Sequence, residues 1–135
     1  MLKYLDGVAL SEGATDALKY SARRMRPNFY AMCGYSASLQ RCTASAHRTT
    51  QATKSFPSGH SSLSFLAATL LSLHFLRRRP SPGRGLLAAA FYAAAFAVAA
   101  TRLVDHWHFP GDVACGAAIG IVAGLLADLK SGGRC

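Results

Sequence analysis

Three apolar runs, at residues 61–76, 86–100 and 113–129, dominate the second half of the chain. Each is apolar around most of a helical circumference, so each predicts a helix without the polar face that a surface helix in water carries. Runs of this length fall short of the ~20 residues that span a typical bilayer. About 17 residues at a rise of 1.5 Å still reach roughly 25 Å, enough for a thin membrane. A soluble helical bundle is the rival architecture. The third run favours the membrane, because Gly116, Gly120 and Gly124 recur four apart. Such a stripe lets two membrane helices approach closely, whereas glycine weakens a helix in water. Residues 5–25 predict a further, N-terminal helix with Ala and Leu at helical spacing, ending near Arg26 because Pro27 follows. Residues 28–57 are polar and show no apolar period, which predicts a long loop. The expected fold is all-α: a membrane-embedded helical bundle of three spanning helices plus the N-terminal helix, in one domain over residues 1–135.

Composition narrows the partners. Hydrophobic residues make up 51% and charged residues 16%, yet Lys+Arg is 15 against 6 acids, a formal net charge of +9. A chain both basic and greasy suits an anionic membrane, an anionic lipid or nucleic acid. Nucleic acid is disfavoured by the lack of finger spacing and of an aromatic-rich basic strand. Cys33, Cys42, Cys115 and Cys135 include no C-x-x-C pair, so a zinc site is not expected. Cys33 and Cys42 form a disulfide in an oxidising compartment or stay as two thiols, and the sequence favours neither. Residues 1–13 lack the apolar core of a signal peptide, which leaves membrane insertion to internal segments.

Charge also bears on topology. Arg77, Arg78, Arg79 and Arg84 fill the link between the first two runs, and Lys130 and Arg134 follow the third. A three-pass zigzag puts both groups on one side, cytoplasmic by the positive-inside rule. The opposite side holds Lys19, Arg23, Arg24, Arg26, Arg41, Arg48, Lys54 and Arg102, so raw charge nearly ties unless those cations have another task.

Three short segments offer one. Lys19 and Arg26 lie seven apart, nearly two helical turns, so both side chains are expected to leave one face. A solvated basic face is the bland reading of that pair, and Arg23 and Arg24 nearby show how readily such spacing arises. Phe56-Pro57-Ser58-Gly59-His60 immediately precedes an apolar run. Pro57 fits a first helical turn, Gly59 admits a ligand close to the backbone, and the amides there would form an anion site under His60. An ordinary capped helix with an incidental histidine explains the same residues. In the third segment, Thr101-Arg102 leads to His108, with Asp112 four residues on behind Pro110. The Asp112 carboxylate can hold one nitrogen of His108 and leave the other as nucleophile or base. His106 and Asp105 are decoys of the same type, equally readable as interfacial polar residues beside Trp107. The zigzag gathers all three segments at one membrane face, where uncompensated charge is costly and an anionic phosphate would offset it.

In that order, Lys19-x6-Arg26-Pro27, Pro57-Ser58-Gly59-His60 and Thr101-Arg102-x5-His108-x3-Asp112 resemble the three-part signature of the type 2 phosphatidic acid phosphatases. That superfamily also includes vanadium haloperoxidases and bacterial acid phosphatases. The flanking residues look most like the eukaryotic lipid phosphate phosphatases. The resemblance implies that His108 attacks phosphorus to form a phosphohistidine, that Asp112 orients it and that His60 protonates the leaving alkoxide. Lys19, Arg26, Arg102, Ser58 and Gly59 would hold the phosphate oxygens, with no metal and no other cofactor. It also implies a lipid phosphate substrate, an integral membrane location in endoplasmic reticulum, Golgi or plasma membrane, and a site on the lumenal or extracellular face. A homo-oligomer is left open. Thr101 departs from the usual serine but keeps the hydroxyl. The family's membrane branch has six spanning helices, of which the first two and part of the third lack counterparts, so the domain is expected to be short at its N-terminus. Two other readings remain: a vanadate-dependent haloperoxidase-like enzyme and a catalytically inert membrane fragment.

Overall fold

The computed structural model describes residues 2–27, 53–77 and 81–132. Among these residues helix is the only regular structure, in four helices: α1 (Leu2–Ala22), α2 (Gly59–Leu76), α3 (Pro82–Val104) and α4 (Pro110–Gly132). The expected all-α bundle is present. Cys33 and Cys42 lie outside the described residues, as do Arg41, Arg48, Arg78, Arg79 and Arg134.

Each apolar run forms a helix, and each helix outgrows its run. At 23 residues, α3 and α4 reach roughly 34 Å, and both are long and apolar enough to cross a membrane. The extra turns come from residues that start a helix well: Pro82 behind Ser81, and Pro110, where a missing amide N–H costs nothing. In α2 the start differs from expectation. Ser58 is the N-cap and Gly59 the first helical residue, so Pro57 stands outside the helix. The end of α1 differs too. It stops at Ala22, because Arg23 takes a left-handed φ of 42° and turns the chain. A backbone bond from Ser55 N to Arg24 O (3.0 Å) holds the redirected strand against residues 53–57. Lys19 and Arg26 therefore do not share one helical face.

Packing centres on α2. It runs parallel to α4 and antiparallel to α1 and α3, and its main partners are α4 and α3. Glycine sets the α2–α4 distance. A Cβ on Gly116 would lie 2.3 Å from the Ser58 carbonyl oxygen, and one on Gly120 only 2.1 Å from that of Ser62. On the other side of α2, Phe65 and Ala68 pack with Ala95 and Ala99 of α3, and Phe65 meets Phe96 edge-on with centroids 5.0 Å apart. Ser11 of α1 shares a 2.5 Å hydrogen bond with Ser62, and Thr69 pairs with the Tyr92 hydroxyl at 3.0 Å.

The interior is thus small and polar: Ser11, Thr15, Ser61, Ser62, Thr69 and Ser72 are buried. The periphery is large and apolar, with Leu86 75% exposed, Leu129 67% and Phe96 64%. Water would favour the reverse distribution, whereas hydrocarbon rewards close contact between small residues and satisfied internal hydroxyls. The chain is an integral membrane protein. At the end of the bundle remote from the loops 53–57 and 105–109, buried Asp128 of α4 accepts from Lys3 of α1 (3.3 Å) and from Arg77 after α2 (Nη1, 3.1 Å). That contact fastens three helices together.

Candidate active site

At the near end a second buried carboxylate organises the loops. Asp112 lies in the first turn of α4 and is fully buried. Its Oδ1 accepts from Arg24 Nη1 at 2.8 Å. Its Oδ2 accepts from the Ser55 hydroxyl and, at 3.0 Å, from the amide of Phe109, the residue before the helix. The last of these is the return half of a capping box. The Asp112 carbonyl meanwhile accepts from Ser58 N at 2.9 Å. One residue therefore ties α4 to the α1 tail, to residues 53–57 and to the start of α2.

His108 is seated on this knot. Its Nδ1 lies 2.6 Å from the Ser55 carbonyl and 3.9 Å from Asp112 Oδ2. A carbonyl can only accept, so Nδ1 carries the hydrogen and Nε2 keeps its lone pair. The expected direct grip of Asp112 on His108 is replaced by an indirect one. The carboxylate holds the Ser55 hydroxyl, and the Ser55 carbonyl holds the imidazole. Cations brace the loop from the α1 tail, with the Arg24 guanidinium over the Phe109 ring at 4.3 Å and that of Arg26 over Trp107 at 4.9 Å.

Above the knot opens a cleft of about 450 Å³ lined by Glu12, Lys19, Arg26, Lys54, Gly59, His60, Leu63, Arg102, Trp107 and His108. Six of the eight residues singled out from the sequence (Lys19, Arg26, Gly59, His60, Arg102 and His108) meet on its walls. Asp112 and Ser58 lie beneath it. Ser58 differs from the phosphate-holding position expected of it, since its amide donates to Asp112 and its buried hydroxyl caps α2 through Ser61 N. In the first turn of α2, the amides of Gly59 and His60 have no acceptor among the described residues. Lys19 Nζ comes within 3.3 Å of the point a Cβ on Gly59 would occupy, so the bare glycine keeps cation and amides side by side. Arg102, in the last turn of α3, is steadied by the Thr101 hydroxyl (3.2 Å) and Asp105 (3.4 Å).

Burial pushes the pKa of His108 below its ordinary 6.5, and the positive charges of Arg26 and His60 push the same way. The Ser55 hydrogen bond and Asp112 oppose them only in part. Burial likewise lowers Arg26, partly offset by Asp112. Such a cleft can hold a multiply charged anion against amides and guanidinium groups and present it to an unprotonated imidazole. Among the described residues no three His, Cys, Asp or Glu side chains gather as metal ligands would.

Two participants escaped the sequence reading. Arg24 looks there like a spacing accident, and Ser55 is only one of the residues flanking the Pro57 motif, with no role assigned to it. A buried carboxylate demands a cation, which is a signal for Arg24 once Asp112 is known to be buried. Ser55 acts through its carbonyl, which leaves no trace in residue type.

Comparison with known proteins agrees with this architecture. The sequence model of the PAP2 superfamily matches residues 1–129. Phospholipid phosphatase 2 of Mus musculus is 35% identical over 137 residues, covering 91% of this chain and 49% of the relative. Its Bos taurus counterpart is 36% identical over 126 residues, with coverages of 84% and 44%. Lipid A 1-phosphatase of Porphyromonas gingivalis is 33% identical over 120 residues, covering 89% of this chain and 21% of the relative. The chain thus spans about half the length, or less, of these curated relatives. No solved structure matches it. With a family match over nearly its whole length and three motifs converging on one cleft, the chain belongs to the PAP2 superfamily.

Proposed function

We propose that the chain carries a metal-independent phosphatase centre acting on lipid phosphates such as phosphatidate, lysophosphatidate, sphingoid phosphates or prenyl diphosphates. The observation that carries this reading is the 2.6 Å contact between His108 Nδ1 and the Ser55 carbonyl, which makes Nδ1 the donor and leaves Nε2 as a nucleophile in a cleft with Lys19, Arg26, Lys54 and Arg102. The names of the relatives, phospholipid phosphatase and lipid A 1-phosphatase, support the same chemistry.

In this mechanism Nε2 forms a bond to phosphorus as the bond from phosphorus to the lipid oxygen breaks. His60 gives its proton to the departing alkoxide. Lys19, Arg26, Arg102 and the amides of Gly59 and His60 stabilise the charge on the phosphoryl oxygens. Water then attacks the phosphohistidine, His60 takes its proton, the P–N bond breaks and inorganic phosphate leaves. Asp112 acts as a positioning residue through Ser55 and Arg24. By the positive-inside rule, Arg77, Arg84 and Lys130 at the other end of the bundle support a lumenal or extracellular face for the cleft.

Vanadate, a phosphate mimic, should inhibit competitively with a lipid phosphate in detergent micelles, and EDTA should leave the rate unchanged. Insensitivity to vanadate, or a requirement for Mg²⁺, would remove this reading. The pH profile gives a second test. A lowered pKa keeps His108 neutral at more acid pH, so the acid limb of kcat/KM is expected below 6.5. An acid limb above that value contradicts a neutral, buried nucleophile.

A further inference from the structure

Glu12 is the acidic side chain on the cleft wall, and the mechanism above leaves it unused. It stands among cations on the cleft wall, yet its Oε1 is buried with no hydrogen-bond partner. Among the described residues it forms no ion pair with the cations around it: Lys19 turns to Asp16 (3.4 Å), Arg102 to Asp105 (3.4 Å) and Lys54 to the Tyr20 hydroxyl (3.4 Å). Glu12, Thr15 and Lys19 follow one another along a single face of α1. Lys19 reaches the phosphate end of the cleft beside Gly59. Glu12 sits roughly 10 Å further along the helix, two turns toward the far end of the bundle. Thr15, between them, also keeps a buried hydroxyl oxygen without a partner.

A carboxylate oxygen shut away from water without a donor is costly, and an ionised one offers only acceptors. We propose that Glu12 receives a hydrogen-bond donor carried by the substrate, an ammonium or hydroxyl group close to the phosphoester. It thereby favours lipid phosphates that bear such a donor over those whose phosphate is flanked only by esters. A sphingoid phosphate offers both an ammonium and a hydroxyl beside the phosphoester, and lysophosphatidate offers one hydroxyl. Phosphatidate offers ester oxygens alone, which would leave Oε1 unsatisfied. This assignment rests on the lipid phosphatase reading and refines the substrate of the same cleft.

The test compares the full chain with Glu12→Gln and Glu12→Ala in detergent micelles, on sphingoid phosphate, lysophosphatidate and phosphatidate of matched chain length. The ratio of kcat/KM for sphingoid phosphate over phosphatidate should fall about tenfold in Glu12→Ala, chiefly through KM. In Glu12→Gln the lysophosphatidate ratio should fall less than the sphingoid ratio, because an amide oxygen still accepts from a hydroxyl but no longer pairs with an ammonium. Binding of non-hydrolysable phosphonate analogues to the His108→Ala chain, measured by calorimetry, should show the same shift in the ratio of Kd values. A chain that turns over none of the lipids removes the phosphatase reading, while the Kd ratio still decides the role of Glu12. Ratios unmoved by both substitutions, or no binding of either analogue, overturn the proposal.

Discussion

Replacing His108 with alanine should lower phosphate release from a lipid phosphate by about six orders of magnitude, the scale on which a lost nucleophile is felt. The geometry leaves no substitute. His60 is the other imidazole on the cleft wall, but it is exposed and, among the described residues, has no acceptor that would commit one nitrogen and free the second. Truncation leaves the Ser55 carbonyl without its donor, while the bonds of Asp112 to Arg24, Ser55 and Phe109 remain. The fold should therefore survive, and thermal unfolding in the same detergent checks it. A His108→Ala chain with wild-type turnover would show that the phosphoryl group is transferred without this imidazole.

Gly120→Ala should have the largest effect on folding. The added Cβ would stand 2.1 Å from the Ser62 carbonyl oxygen and 2.9 Å from the Leu66 amide nitrogen. Both are backbone atoms of α2, which cannot swing aside as a side chain can. The helices would have to separate, at a cost of about 3 kcal/mol. Gly13→Ala in exposed α1 is the matched control, because nothing lies within 4 Å of its Cβ position. There the same methyl group should stabilise the helix by up to about 1 kcal/mol. Thermal unfolding of both variants in one detergent reads the contrast. A Gly120→Ala chain as stable as the wild type would mean that α2 and α4 are not in contact at this seam.

The helices and the cleft were legible in the sequence to different depths. Apolar runs and the glycine stripe identify α2, α3 and α4, because hydrocarbon selects for composition and close contact selects for small residues. The end of α1 was not legible. Arg23 has no intrinsic reason to adopt a left-handed φ, and the bond that stabilises the turn comes from Ser55, over thirty residues further along the chain. Site residues separated by fixed short spacings, such as His108 and Asp112, could be associated from the sequence alone. How they meet could not, since the intermediary between them is the Ser55 hydroxyl on one side and its carbonyl on the other. Glu12 stood out in no pattern. Only its depth in a cationic cleft, unpartnered, distinguishes it from any other helical glutamate.

The two buried carboxylates of α4 have a mechanical consequence. Asp112 grips the chain at one tip of the helix and Asp128 at the other, and each is held by a cation from the neighbourhood of α1. A rod pinned at both tips has lost its freedom to slide, so a push on the remote tip is transmitted along its length instead of being absorbed. The Ser58 amide, fastened to the Asp112 carbonyl, would travel with it. The alignment of the candidate site at one end of the bundle is thereby coupled, through a single stiff element, to whatever loads the other end.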